Sequence, residues 1–365
     1  MTRVVVAPDS FKGTIGAVDA AAAIRDGWLS VRPADAIVLR PMADGGEGTL
    51  DAFAAAVPGA ERMPVTVTGP AGTPVRADWL LLPDGTGVVE LASTSGIELL
   101  HGHLRPWDAS TRGFGQAIAA ALDHAVERLV LGIGSSASTD LGVGMLSALG
   151  ARFIDRAGTA VPDGARGLPA IARTDAGSLR PPPPRGVVVL SDVRSPLLGP
   201  HGAAAVFGPQ KGIDDIARAE AGLAHAASFV VLDPMTPGAG AAGGTGFALL
   251  TWGATLVSGA EEIARRAGLA EAVAPADLVI TGEGAFDVQS AAGKAPHVVT
   301  AVARAAGVPT VLVAGRVDPD ADLTGFGAVV ALSDLAGSSA AALADPARWL
   351  RVAGALLAEH GAPIG

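Results

Sequence analysis

Short β-branched runs alternate with longer alanine-rich stretches at both ends of this chain. Val4–Ala7 reads as a strand and is broken by Pro8-Asp9-Ser10. Ile15–Leu29 then carries apolar residues at helical spacing. Ile37–Leu39 is a second strand, closed by Pro41, and the loop 42–48 opens a helix that runs to about Ala56. A strand, a loop and a helix, twice in succession, predict a parallel sheet. After Pro58 the rhythm changes. Val65–Thr68, Val75–Leu82 and Gly87–Leu91 are short runs parted by Pro and Gly, the pattern of an antiparallel segment. Helices are predicted over Phe114–His124, Gly142–Leu149 and Ile213–Val231, with strands at Leu129–Leu131 and Val187–Leu190. Alternation resumes with strand Leu278–Ile280, helix Ala295–Ala306, strands Thr310–Val313 and Val329–Leu332, and a last helix over Pro346–Glu359. The predicted fold class is α/β. A discontinuous, doubly wound (Rossmann-like) parallel-sheet domain, residues 1–62 plus 275–365, has a second α/β domain, residues 63–274, inserted into it. Ligands of such sheets bind at the carboxyl ends of strands, and Asp9, Asp44 and Glu283 all fall just past predicted ends.

Composition narrows the function. The 365 residues are 49% apolar and 17% charged, enough for two sizeable cores. The net charge of −10 lacks the basic footprint of a nucleic-acid binder. With no Cys there is no disulfide, zinc-thiolate site or thiol nucleophile. No apolar run reaches the ~20 residues of a membrane span, and the N-terminus enters a strand without the apolar stretch of a signal peptide. The expected location is the cytoplasm, with no membrane or nucleic-acid partner.

Of the 26 basic residues, only Lys12, Lys211 and Lys294 are lysine, and each has a glycine neighbour. An ammonium beside backbone that can approach closely suits a phosphate. Solvated loop lysines are the plainer alternative. The loop Asp9-Ser10-Phe11-Lys12-Gly13 joins a strand to a helix and offers amides, a hydroxyl and an ammonium to an anion, unless Asp9 or Ser10 simply caps the helix. Asp44-Gly45-Gly46-Glu47-Gly48 sets two carboxylates around a glycine pair. It is either a Mg2+ site or a capped tight turn. Gly282-Glu283-Gly284 through Asp287 and Gln289, with Gly293-Lys294 following, brings acids and a base into one loop, an arrangement suited to phosphoryl transfer. Asp192 and Arg194 follow a strand and fit a base and a carboxylate grip, or an exposed salt bridge. The site expected from these loops has Asp192, Lys12, Glu283 and Lys294 as catalytic groups. Asp9, Ser10, Gly45, Gly46, Arg194, Lys211, Gly284, Asp287 and Gln289 bind substrate or phosphate, and Asp44 and Glu47 bind metal.

The chain contains no G-x-x-x-x-G-K-[ST] loop, no protein-kinase set and no G-x-S-x-G elbow, and its histidines are dispersed. Gly132-Ile133-Gly134-Ser135-Ser136-Ala137 does match the dinucleotide fingerprint, with Asp155 downstream. It makes an NAD(P)-dependent oxidoreductase the rival reading. Gly238–Gly243 matches the same pattern, and Gly loops bearing acidic residues have no task in hydride transfer.

Five loops occur in one order: Ala7–Gly13, Ala43–Thr49, Val206–Gly212, Pro237–Gly244 and Thr281–Gly284. Together they resemble the bacterial type I glycerate kinase family over essentially the whole chain. The resemblance implies ATP and Mg2+ as cofactors and D-glycerate as the small-molecule partner. It implies 2-phosphoglycerate as product, in glycerate or organic-acid catabolism, and a cleft between the two domains. A homodimer is a further expectation. The chain departs from the family pattern in three places. Gly134–Gly142 replaces a G-G-S-A-T-N-D-G-G-like run, Ala285 stands where an Arg is usual after T-G-E-G, and Ser195 stands where an Asn is usual. These changes bear on the acceptor, leaving open a related small hydroxy acid or a non-catalytic sugar-acid binder.

Overall fold

A computed structural model describes residues 1–11, 13–287 and 294–360. The described residues form thirteen strands: β1 (Arg3–Pro8), β2 (Ala36–Leu39), β3 (Glu61–Thr68), β4 (Pro74–Leu81), β5 (Thr86–Glu90), β6 (Arg128–Gly132), β7 (Arg152–Ile154), β8 (Arg173–Asp175), β9 (Val187–Leu190), β10 (Thr255–Val257), β11 (Leu278–Phe286), β12 (Thr310–Val317) and β13 (Ala328–Ala331). The chain divides into two compact units. One holds residues 1–44, 51–58 and 258–365, the other residues 45–50 and 59–257.

The first unit is built from both chain ends around the sheet β13-β12-β11-β1-β2, parallel throughout. Its strands are apolar on both faces, as strands covered on both sides must be. Val4, Val6, Ile280, Val311 and Val313 pack with Ile24 and Trp28 of helix Ala17–Val31 and with Leu350 and Leu357 of helix Pro346–His360. Their neighbours Val5, Val279 and Leu312 are equally buried. The two helices touch through glycine. A Cβ on Gly27 would run into the Arg351 carbonyl, and one on Gly354 into the Ile24 carbonyl. Chain connectivity places β11 and β2 on opposite sides of β1, which makes the carboxyl end of β1 the topological switch point.

The second unit contains the sheet β10-β9-β6-β5-β4-β3. Its four strands β10, β9, β6 and β5 are parallel, and the β5-β4-β3 edge is antiparallel, as the Pro- and Gly-parted runs predict. Phe114 and Ile118 of helix Arg112–Asp123 pack with Leu129, Leu131, Val189 and Trp79. A second cluster joins Leu168, Leu197, Leu223 and Phe247.

Several boundaries differ from the sequence reading. The predicted helix 213–231 is Ile216–Ala227, because the Asp215 carboxylate accepts from the Arg218 N–H at 2.9 Å and fixes the start. β11 continues through Phe286, so Glu283 lies within a strand rather than past its end. The ladder to β12 carries it on, pairing Glu283 with Ala314. Residues 258–274 belong to the first unit by their contacts. Helices Gly259–Arg266 and Leu269–Val273 pack against helix Ala295–Ala305. Residues 45–50, conversely, belong to the second unit.

Candidate active site

The first unit carries a cavity of about 310 Å3 at the carboxyl ends of β1, β2, β11 and β12, within the size range of small-ligand pockets. Asp9 and Ser10 reach it because β1 stops at Pro8. The Asp9 N–H still bonds the Gly282 carbonyl at 2.8 Å, and the Asp9 carboxylate accepts from the Ser10 N–H at 2.6 Å. The chain then turns through Gly13 in the left-handed region, with the Thr14 hydroxyl and N–H both donating to the Phe11 carbonyl. Asp44, Glu283, Gly284 and Asp287 line the same space. Lys294 faces it from the N-cap of helix Ala295–Ala305, its ammonium 4.0 Å from Asp287. A cation at a helix N-terminus opposes the helix dipole, whereas an anion bound there is favoured by both. Phe11, Leu332, Ala342, Leu343 and Pro346 form an apolar wall.

Four carboxylates thus share the cavity with Lys294 and Arg316. The donor set suits a hard divalent cation. Among the described residues no three acidic or histidine side chains are grouped to enclose one. One or two carboxylates, completed by phosphate oxygens and water, is the coordination that Mg2+ takes. Lys12 and Gln289 lie outside the described residues.

The second unit holds the remaining expected residues. Gly45 and Gly46 are buried. The Gly45 carbonyl accepts from the Gly134 N–H at 2.9 Å, and a Cβ on Gly134 would strike the Gly46 backbone. The glycines at 132 and 134 are therefore required by the 45–46 segment lying against them. That packing, not a pyrophosphate, explains the fingerprint match and removes the support for the oxidoreductase reading. Glu47 is exposed. Asp192 is half-buried after β9, and Arg194 is exposed.

Lys211 differs most from a solvated loop lysine. It is 3% exposed, and its ammonium donates to the Ser136 hydroxyl at 2.7 Å and the Ser138 carbonyl at 2.6 Å. Burial lowers its pKa from 10.5 to about 7, against a smaller upward pull from Asp140. Asp140 is fully buried and accepts from the Thr111 N–H and hydroxyl at 2.9 and 2.8 Å and from the Gly142 and Gly144 N–H groups. It ties helix Arg112–Asp123 to helix Val143–Ala148. Sequence reasoning passed over Asp140, Ser136 and Arg316. The Asp in Ser138-Thr139-Asp140 was the available signal for the first. Arg316 had none.

The fold is of the α/β class, with a cavity at the carboxyl ends of a parallel sheet lined by carboxylates and a lysine. The glycerate kinase family model matches residues 4–360, and the chain belongs to that family and is an enzyme of the kinase class. It is 41% identical over 332 residues to the glycerate kinase of Bacillus subtilis (88% of this chain, 86% of the relative). It is 40% identical over 331 residues to the glycerate 2-kinase of Escherichia coli (87% and 86%). It superposes with a TM-score of 0.81 and 35% identity, over 98% of both chains, on a crystal structure given provisionally as glycerate kinase 2 of Salmonella typhimurium LT2. Among the described residues no helix is long and apolar enough to cross a membrane.

Proposed function

We propose that the enzyme transfers the γ-phosphoryl group of ATP to the 2-hydroxyl of D-glycerate, giving 2-phosphoglycerate and ADP, in cytoplasmic breakdown of glycerate and related organic acids. The observation that carries the donor half is the first-unit cavity, where an apolar wall meets acids, a lysine and a helix N-terminus. The acceptor and the 2-position rest on the likeness to the Escherichia coli enzyme.

In this reading the apolar wall of Phe11, Leu332 and Leu343 takes the base, and the phosphates lie toward Ser10, Lys294 and the end of β11. Asp44, with Asp9 or Glu283, would hold Mg2+, which when bound neutralises charge on the phosphate oxygens. Lys294 adds a fixed positive charge where the leaving β-phosphate gains its negative one. The bond from the γ-phosphorus to the bridging oxygen breaks, ADP keeps the electron pair, and a new bond forms to the glycerate oxygen. The hydroxyl proton passes to Asp192, which the proposal makes the base. Arg194 grips the substrate carboxylate.

The test uses the purified chain with ATP, Mg2+ and D-glycerate, coupled through enolase and pyruvate kinase without a mutase. Signal is expected, because enolase consumes 2-phosphoglycerate directly. ADP release without an enolase signal would remove the 2-position. Absence of ADP release with glycerate and related hydroxy acids would remove the activity itself.

A further inference from the structure

The cavity of the first unit contains a cation that no sequence motif announces. Arg316 lies near the carboxyl end of β12 as the parallel register partner of Ala285 on β11. Register partners present their side chains on one face, with the strands about 4.8 Å apart, and both residues line the cavity with Lys294. Ala285 offers only a methyl group beside the guanidinium stem. Lys294 has Asp287 at 4.0 Å. Arg316 has neither hydrogen bond nor ion pair among the described residues, although four carboxylates line the same cavity. It is also exposed, so its five N–H donors stand toward the open space. A planar, permanently charged fork without an acceptor among the described residues, set on a strand that lines the cavity, matches a phosphate.

We propose that Arg316 is a nucleotide-phosphate-binding residue, gripping a phosphate of the donor from β12 over the methyl of Ala285. This rests on the reading that the cavity takes a nucleoside triphosphate. The residue acts on donor binding and leaves the acceptor alone.

The test measures ATP and ADP binding by titration calorimetry without acceptor, and separate KM values for ATP and glycerate. The proteins are the parent enzyme, Arg316→Ala, Arg316→Lys and the double variant Arg316→Ala/Ala285→Arg. Arg316→Ala is expected to weaken ATP binding about 10- to 100-fold, with glycerate KM within about twofold and an unchanged unfolding midpoint. Lysine restores part of the loss, being a point charge without the fork. Arginine at 285 restores more, because the register places it on the same face one strand away. Unchanged ATP affinity in Arg316→Ala, or a loss confined to glycerate KM, would overturn the proposal while leaving the kinase reading intact. If the parent enzyme itself bound no ATP, both would fall together.

Discussion

Replacing Lys294 by alanine is expected to lower kcat/KM for ATP by about 100- to 1000-fold, the usual cost of removing one preorganised charge from a developing anion. Lys294 lines the first-unit cavity and stands at the N-cap of helix Ala295–Ala305. Its contribution to the fold is small. The ion pair with Asp287 is long, at 4.0 Å, and both side chains are about one-third exposed, so the pair is worth little. A lysine at a helix N-terminus is also slightly unfavourable to the helix. The unfolding midpoint should therefore stay level or rise a little. Steady-state kinetics and a thermal melt on the same preparation decide the matter. Undiminished turnover would show that Lys294 does not touch the transferred group. Lost turnover together with a large drop in the melt would make the residue structural.

The second large effect is in the pH dependence of stability and comes from Lys211. In the unfolded chain this lysine titrates near 10.5, but in the fold burial lowers its pKa to about 7. Between those values the unfolded state binds a proton that the native state does not. Stability from this group must then rise with pH, by about 1.4 kcal/mol per unit from pH 7 upward. Below pH 7 both states are protonated, and the desolvation cost is constant and fully present. Neither hydrogen bond needs the charge, since a neutral amine keeps two donors for the Ser136 hydroxyl and the Ser138 carbonyl. Lys211→Met removes the titration and keeps most of the stem. The stability difference between parent and variant, from urea unfolding at pH 6, 7, 8 and 9, should be flat to pH 7 and then swing toward the parent by about 2–3 kcal/mol by pH 9. Other titrating groups cancel in the difference. A difference that did not change with pH would mean that Lys211 stays charged in the fold.

The site was legible to unequal depth. Asp9, Ser10, Asp44, Glu283 and Asp287 come after predicted strands, Lys294 directly precedes a predicted helix, and all six line one cavity. Their visibility comes from the α/β pattern, because a parallel sheet gathers loops from distant parts of the chain at one edge. Lys211 looked like its two companions, a glycine-flanked lysine in a loop. Its neighbours in sequence, Gln210 and Gly212, say nothing of Ser136 and Ser138, which surround it in space. The Gly132–Ala137 turn misled for a related reason. Glycine there serves close approach by the 45–46 segment, and a sequence pattern cannot tell backbone from ligand as the thing approached.

What the chain's pattern determined alone is the kind and order of its elements and the parallel character of the sheet made from both ends. Apolar spacing and Pro, Gly and Asp breaks act over a few residues, so they can be read locally. Three things only the tertiary structure decided: the pairing of Ala285 with Arg316, the burial that takes Lys211 out of water, and the division at 44/45 and 257/258. Each depends on register or packing between segments far apart in sequence, where the energy lies in contacts that no local pattern encodes.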